Sequence, residues 1–200
     1  GAVHLRIRDG AVRREWMLDC GGANAYRHGI RNYLRQRGIN RLDGLLLTHG
    51  DTAHLGAALE LMADVRVDAV YDSAYRDRSL HRRTIHSALA DARRGKGIVT
   101  AGDRIPLSPN VTLHILYPPT GLALRTADDK TVVACLEVRT EAATRRILFS
   151  SDAGFSTEAW LHEHYPGLRC DVWVKGFHAK DPLSSPEWLS TVAPSLIVAA

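Results

Sequence analysis

The sequence has no apolar run approaching the ~20 residues that cross a bilayer. Its first residues also lack the charged and apolar regions of a signal peptide, and together these absences predict a soluble piece. Sulfur is scarce. The three cysteines, Cys20, Cys135 and Cys170, are odd in number and widely spaced, within apolar stretches such as WMLDCGG and TVVACLEV. That pattern argues against a disulfide framework and predicts reduced core thiols. No short-period repeat and no low-complexity linker divides the chain. The excess of positive charge is slight: +4, with a pI near 9.2, modestly favours acidic partners such as nucleic acid but is ordinary for a soluble protein. What is present is 200 residues with 45% hydrophobic content, enough for one domain, residues 1–200, with a sizeable core.

AVHLRIRDGAVRREWMLDCGG alternates apolar and polar residues around RDGA and predicts a β-hairpin with an Asp-Gly turn. In ANAYRHGIRNYLRQRGI, the helical spacing of Tyr26, Ile30, Tyr33 and Leu34 predicts an amphipathic helix stopped at Gly38. LDGLLLTH reads as a buried strand, HLGAALELMADV as a helix, VDAVYDS as a strand and SLHRRTIHSALADARRGKG as a helix. Short strands come next in GIVTAGDRIPLSPNVTLHILYPP, then a second hairpin in TVVACLEVRTEAATRRILFSSDA that ends at a loop containing Asp152. STEAWLHEHY is helical, CDVWVKGFH is a strand, SPEWLSTV has a Ser-Pro-Glu helix start and PSLIVAA closes as a strand. Strands in series, then strands alternating with helices, predict an α/β sandwich with helices covering sheets.

Metal-type ligands gather at three strand ends: His49, Asp51 and His54 after one, Asp152 after another, His178 after a third. Imidazole and carboxylate together suit zinc, manganese or iron, and a sheet can hold such loops rigidly. Two ions about 3.5–4 Å apart can share a carboxylate and activate water against an ester or phosphodiester. The plainer reading stands beside this one: an isolated loop His forms ordinary hydrogen bonds, and an Asp before a helix, such as Asp51, is often an N-cap. The joint pattern, a Thr-His pair closing an apolar strand and a second His opening a helix, favours ancestry as a metal site. His162 and His164, two apart on a helix, face different directions and make a poor ligand pair. Those two, with His4, His28, His81, His86 and His114, are assigned to surface or packing roles.

LLLTHGDTAHLGA resembles the metallo-β-lactamase-fold motif T-H-x-H/D-x-D-H-x-G, in the form used by the C-terminal domain of ComEC-type DNA-uptake (competence) channel proteins. LHILYPP, DDKTVVACLEV, ILFSSDA and DVWVKGFHAKDPLSS are similar, in order, to that family's W/Y-P-P turn, N-x-x-S-V-V-L strand, L-L-T-G-D-A loop and K-x-G-H-H-G-S-K-T-S-S segment. The resemblance runs nearly end to end. It implies an α/β, metallo-β-lactamase-like αββα sandwich of two mixed β-sheets flanked by helices. It implies zinc or manganese as cofactor, one or two ions. His49 and Asp51 match ligands of the first metal, His54 a ligand of the second and Asp152 the bridging carboxylate, which puts Asp51 and Asp152 in the catalytic centre. His178 matches the second His of a His-His pair. Lys175, Ser184 and Ser185 match positions on the substrate side, to which Lys180 is also assigned. Relatives have a G-Q-G-D strand end before the position of Gly1 and an N-x-Y-G-H-P segment beyond that of Ala200, which implies a fragment of a longer bacterial inner-membrane protein. The partners implied are DNA, single- or double-stranded, and the transmembrane channel domain of the same parent chain; no other protein partner is indicated.

The departures from the motif matter as much. Ala53 stands where the family has Asp, Phe177 where it has the first His, and Ala179 and Lys180 where it has Gly-Ser. The missing Asp would both ligate the second metal and orient the attacking water, and a methyl group does neither. Arg27, Arg31 and Arg35 recur every four residues, with Arg37 and Arg41 nearby, as a phosphate-tracking stripe or, without interleaved aromatics, as a solvated helix face. Arg82, Arg83, Arg93 and Arg94 pose the same choice. Three functions fit: a metal-dependent nuclease or phosphodiesterase, a non-catalytic domain with a vestigial site, and a small-molecule esterase of the same fold. Two altered positions in two loops favour weakened or lost catalysis.

Overall fold

The computed structural model describes residues 1–73, 75, 79–91, 95–122, 128–177 and 184–199. The chain forms two compact units, Gly1–Val99 and Thr100–Ala200. In the first, β1 (Val3–Asp9) and β2 (Val12–Leu18) pair antiparallel from Val3 opposite Leu18 to Asp9 opposite Val12. The hairpin closes at Gly10, whose φ of +55° is a left-handed conformation that glycine adopts without a Cβ penalty. β4 (Gly44–Leu47), β6 (Ala69–Ser73) and β7 (Gly95–Val99) continue the sheet in parallel, in the order β1-β2-β4-β6-β7. β3 (Arg41–Leu42) and β5 (Arg66–Val67) form a separate short parallel pair. Every residue of β4 is buried, as a central parallel strand requires, which is why GLLL reads as a continuous apolar run.

The helix after β2 runs from α1 (Ala23–Ala25) through a π-type turn at Tyr26–Ile30 into α2 (Arg31–Gln36). The wide turn shifts the helical phase of the residues C-terminal to it. Tyr26 and Leu34 are buried and Ile30 packs against them, whereas Tyr33, expected on the same face, is 40% exposed and meets His4. Past it the chain turns at Gly38, φ +66°. The single helix expected over HLGAALELMADV is two, α3 (Thr52–Leu55) and α4 (Ala58–Asp64). Between them the Ala57 N–H donates to the Gly21 carbonyl, a tertiary bond that interrupts the helical ladder.

Three arginines of the stripe, Arg27, Arg31 and Arg41, are paired with acids within the first unit. Arg27 donates to Glu60 at 2.8 Å and Arg31 to Asp64 at 2.6 Å, both on α4, while Arg41 donates to Asp68 at 2.7 Å. These bonds support the solvated-face reading over a phosphate track. Arg82, on α5 (Leu80–Asp91), is no surface residue either: its Nε lies 3.1 and 3.2 Å from the two carboxylate oxygens of fully buried Asp72, to which His86 also bonds. Arg93 and Arg94 lie outside the described residues.

In the second unit, β8 (Arg104–Ser108), β9 (Val111–Tyr117), β10 (Val133–Arg139) and β11 (Thr144–Ser151) are antiparallel neighbours, and β12 (Val172–Lys175) and β13 (Leu196–Ala199) add in parallel beyond β11. α6 (Phe155–His164) and α7 (Pro186–Val192) cover one face, packing Leu161, Trp188 and Val192 against Leu116, Cys135, Leu148 and Trp173. Ser185 caps α7 by accepting the Trp188 N–H at 3.2 Å, the role that its Ser-Pro-Glu start predicts. The three cysteines are free and buried, and burial pushes the Cys135 thiol up to about 12 and that of Cys170 to about 11. Among the described residues no helix is long and apolar enough to cross a membrane.

Removing one partner of a buried ion pair leaves an uncompensated charge, so Arg82→Met should cost about 3–5 kcal/mol in urea unfolding. Adding Asp72→Leu to that variant should recover most of the loss.

Candidate metal centre

Asp19 directly follows β2, and its φ of +57° turns its carboxylate back under the neighbouring strand end, where it is 4% exposed. The strand junction is tied twice through the backbone: the Asp19 N–H donates to Leu46 and the Cys20 N–H to His54, both at 2.8 Å. The carboxylate then accepts from three donors. Thr48 N–H reaches one oxygen at 2.8 Å; the Thr48 hydroxyl at 2.6 Å and His54 Nδ1 at 2.8 Å share the other. The Thr48 hydroxyl also lies 3.1 Å from His49 Nδ1. Both imidazoles are thereby held through Nδ1, with ring centroids 4.3 Å apart.

One donor atom from each of Asp19, His49 and His54 falls within 4.8 Å of the others, and among the described residues no other group of three does so. Two imidazoles so close, each fixed by a polar neighbour, fit a metal ion; a carboxylate that already accepts three hydrogen bonds is placed to orient a ligand imidazole. Burial alone would raise the Asp19 carboxyl, but its bond to His54, the charges of His54 and His49 and the Thr48 hydroxyl outweigh burial and hold it below the ordinary carboxylate value. Gly22 lets the strand-end loop lie close to α3: a Cβ there would sit 3.3 Å from the Thr52 carbonyl.

Asp51 is not in this group. It is exposed and caps α3, its Oδ1 accepting the Ala53 N–H at 3.4 Å and the Thr52 hydroxyl at 3.3 Å. Ala53, also exposed, contributes a methyl and no donor atom. In the second unit, Asp152 is buried and its Oδ1 accepts the Phe177 N–H at 3.0 Å. That approach requires Gly176, because a Cβ at 176 would stand 2.1 Å from the same oxygen. Phe177 is 74% exposed. Lys175 donates to Ser184 at 2.8 Å, while Ser185 is occupied as the cap of α7. His178 and Lys180 lie outside the described residues, as does Ala179. Nothing in residue type or spacing singles out Asp19, apart from an acid ending an apolar strand before Gly-Gly.

The family model of the metallo-β-lactamase superfamily matches residues 8–191. The chain belongs to the metallo-β-lactamase superfamily. Solved structures share its fold at low identity. GOB-18, a metallo-β-lactamase from Elizabethkingia meningoseptica, is 17% identical, with 86% of this chain and 69% of that one covered and a TM-score of 0.54. A subclass B3 metallo-β-lactamase with an active-site glutamic acid is 14% identical, with 93% and 78% covered and a TM-score of 0.58. Zinc-bound PqqB from Methylobacterium extorquens is 12% identical, with 87% and 58% covered and a TM-score of 0.53. No curated protein matches the sequence. At these identities the structural likeness shows the fold, two mixed sheets with helices, and the family match places that fold in a superfamily of metal-dependent hydrolases.

Asp19→Asn turns a purely accepting group into one with donors facing Thr48 and His54, and should cost about 1–3 kcal/mol in thermal unfolding. Gly176→Ala should cost a similar amount, about 1–3 kcal/mol, because the Asp152 carboxylate has to move.

Proposed function

We propose that the chain is the metallo-β-lactamase-fold domain of a ComEC-like DNA-uptake protein, descended from a metal-dependent nuclease or phosphodiesterase, with weakened or lost catalysis. The observation that carries this reading is the state of the THGDTAH loop. Asp51 is used as the cap of α3, and the helix it caps presents Ala53 where the family motif has a metal-binding Asp. The first unit's own contribution to a metal is His49 and His54, oriented through Thr48 and Asp19. Asp152 and His178 keep the ligand roles that the resemblance implies, and Lys175, Lys180, Ser184 and Ser185 the substrate-side roles, while Asp51 serves as the α3 cap in place of the ligand role implied for it.

A bound zinc or manganese ion supplies Lewis-acid activation of water and of a phosphodiester or ester oxygen. What the chain itself supplies is a fixed tautomer and direction for each imidazole, since both Nδ1 atoms are engaged and the Nε2 atoms carry the remaining lone pair or proton. It supplies no carboxylate at 53 to take a proton from water. The motif order through DVWVKGFHAKDPLSS supports the DNA-uptake assignment, and with it DNA and a transmembrane channel domain as partners and placement as a soluble domain of an inner-membrane protein.

Metal analysis of the purified protein tests the reading, together with cleavage of single- and double-stranded DNA in zinc or manganese. Metal below one ion per chain and no cleavage are expected. Ala53→Asp with Phe177→His should tighten metal binding by about tenfold or more, since a first-shell carboxylate counts for more than the 10–100-fold of an outer-shell group. Stoichiometric metal with DNA cleavage that His49→Ala abolishes would show an active nuclease instead.

A further inference from the structure

Between the β1–β2 hairpin and the helix that follows it, the first unit holds a cavity of about 400 Å³, within the range of small-molecule sites. Ala2, Met17, Ala25, Ile30 and Leu34 give it an apolar lining, and His4 and Tyr33 are its polar members. None of Asp19, His49 and His54 lines it, so it is separate from the metal centre. It is open to solvent, since Ala25, Gly29 and Tyr33 are exposed and Ala2 and Ile30 are only partly buried. Gly29 lies in the π-type turn, a feature frequent at functional sites. A Cβ at Gly29 would have no neighbour within 4 Å outside its own helix, so space and not packed protein adjoins the turn there.

The polar members form a directed chain. Glu15, held by Arg6 at 2.7 Å, accepts from His4 Nε2 at 2.7 Å, and His4 Nδ1 lies 3.0 Å from the Tyr33 hydroxyl. A carboxylate only accepts, so Nε2 carries the proton. On the neutral ring Nδ1 is then a lone pair, and the Tyr33 O–H donates to it. The hydroxyl has thereby used its one hydrogen and keeps its acceptor lone pairs. Ring contacts hold it in that role: the His4 ring stands edge-on to Tyr33 with centroids 5.5 Å apart, and the Arg37 guanidinium lies 5.5 Å from the Tyr33 ring centroid. Tyr33 is 40% exposed and its bond to His4 is open to solvent, so a ligand can reach the phenol oxygen.

These features select the ligand's chemistry. Among the described residues that line the cavity none is Asp, Glu, Lys or Arg, so a charged ligand would lose hydration and meet no counter-charge. A ligand whose one polar group is an acceptor would face another acceptor at Tyr33. An uncharged donor on an apolar body suits both the lining and the phenol oxygen.

We propose that this cavity is a second ligand site, which binds a small uncharged molecule with an apolar body and one hydroxyl or N–H donor, of the phenol or indole kind. The donor bonds the Tyr33 oxygen and the body covers Ala2, Ala25 and Ile30. The proposal rests on the first unit alone and not on the DNA-uptake reading.

Phenol is the probe, and anisole, the same ring with its oxygen methylated, is the control. Both are titrated into the purified 200-residue chain at pH 8 and followed by calorimetry and by the methyl resonances of Ala25 and Ile30. Saturable one-site binding of phenol at millimolar concentration or below is expected, with anisole about fivefold weaker, the contribution of one neutral hydrogen bond. Tyr33→Phe should weaken phenol by the same factor and leave anisole unchanged, a split that a merely structural role for Tyr33 would not produce. Gly29→Leu adds bulk at the cavity wall and replaces a glycine within the helix by a better helix former, and it should weaken both ligands at least tenfold. The phenol-to-anisole ratio is read on the unaltered chain and decides even where a variant does not fold. Absence of saturable phenol binding, equal affinity for phenol and anisole, or phenol binding unchanged by either substitution overturns the proposal.

Discussion

The carboxylate of Asp19 is the point on which the candidate metal centre depends. It follows β2, bonds the backbone and hydroxyl of Thr48 just after β4, and holds His54 on α3, so one buried anion ties three segments together. A buried carboxylate is costly unless its lone pairs are filled, and here donors fill them. The backbone bonds from Asp19 to Leu46 and from Cys20 to His54 run alongside, so the loop cannot move without breaking main-chain and side-chain bonds together. The imidazoles are therefore positioned whether or not the rest of the motif survives.

Charge elsewhere is spent on structure in the same way. The arginines of the first helix are matched by Glu60 and Asp64 on α4, and Arg82 is buried against Asp72. Exposed pairs contribute little to stability, but they remove unpartnered cations from the helix face. Arg27, Arg31 and Arg82 are thus held in ion pairs and are not free to track phosphates. In the second unit the balance differs: Glu137 meets two arginines, Arg139 and Arg146.

Gly176 admits the Asp152 carboxylate to the Phe177 N–H, a contact that any side chain at 176 would block. The backbone of the second unit is thus shaped around its acid. Ala53 sits in a helix start capped by Asp51.

Local patterns determined much of this protein in advance. RDGA closes a hairpin because glycine takes a left-handed φ at little cost, GLLL is a buried parallel strand because both its faces are apolar, and SPE starts a helix because serine caps while proline tolerates the first turn. His49 and His54 are recognisable from their spacing at a strand end. The tertiary structure decided what depends on bonds between distant segments. It split the expected helix at Gly56 and Ala57 through a bond to Gly21, turned Tyr33 outward after a wide helical turn, moved Arg82 from the surface to a buried pair and set Asp51 as a cap. It also brought Asp19 to His54 and Cys135 beside His114. Periodicity records which face of an element is apolar; it carries no information about which distant donor will meet a buried acceptor, and that pairing is made only when the chain closes on itself.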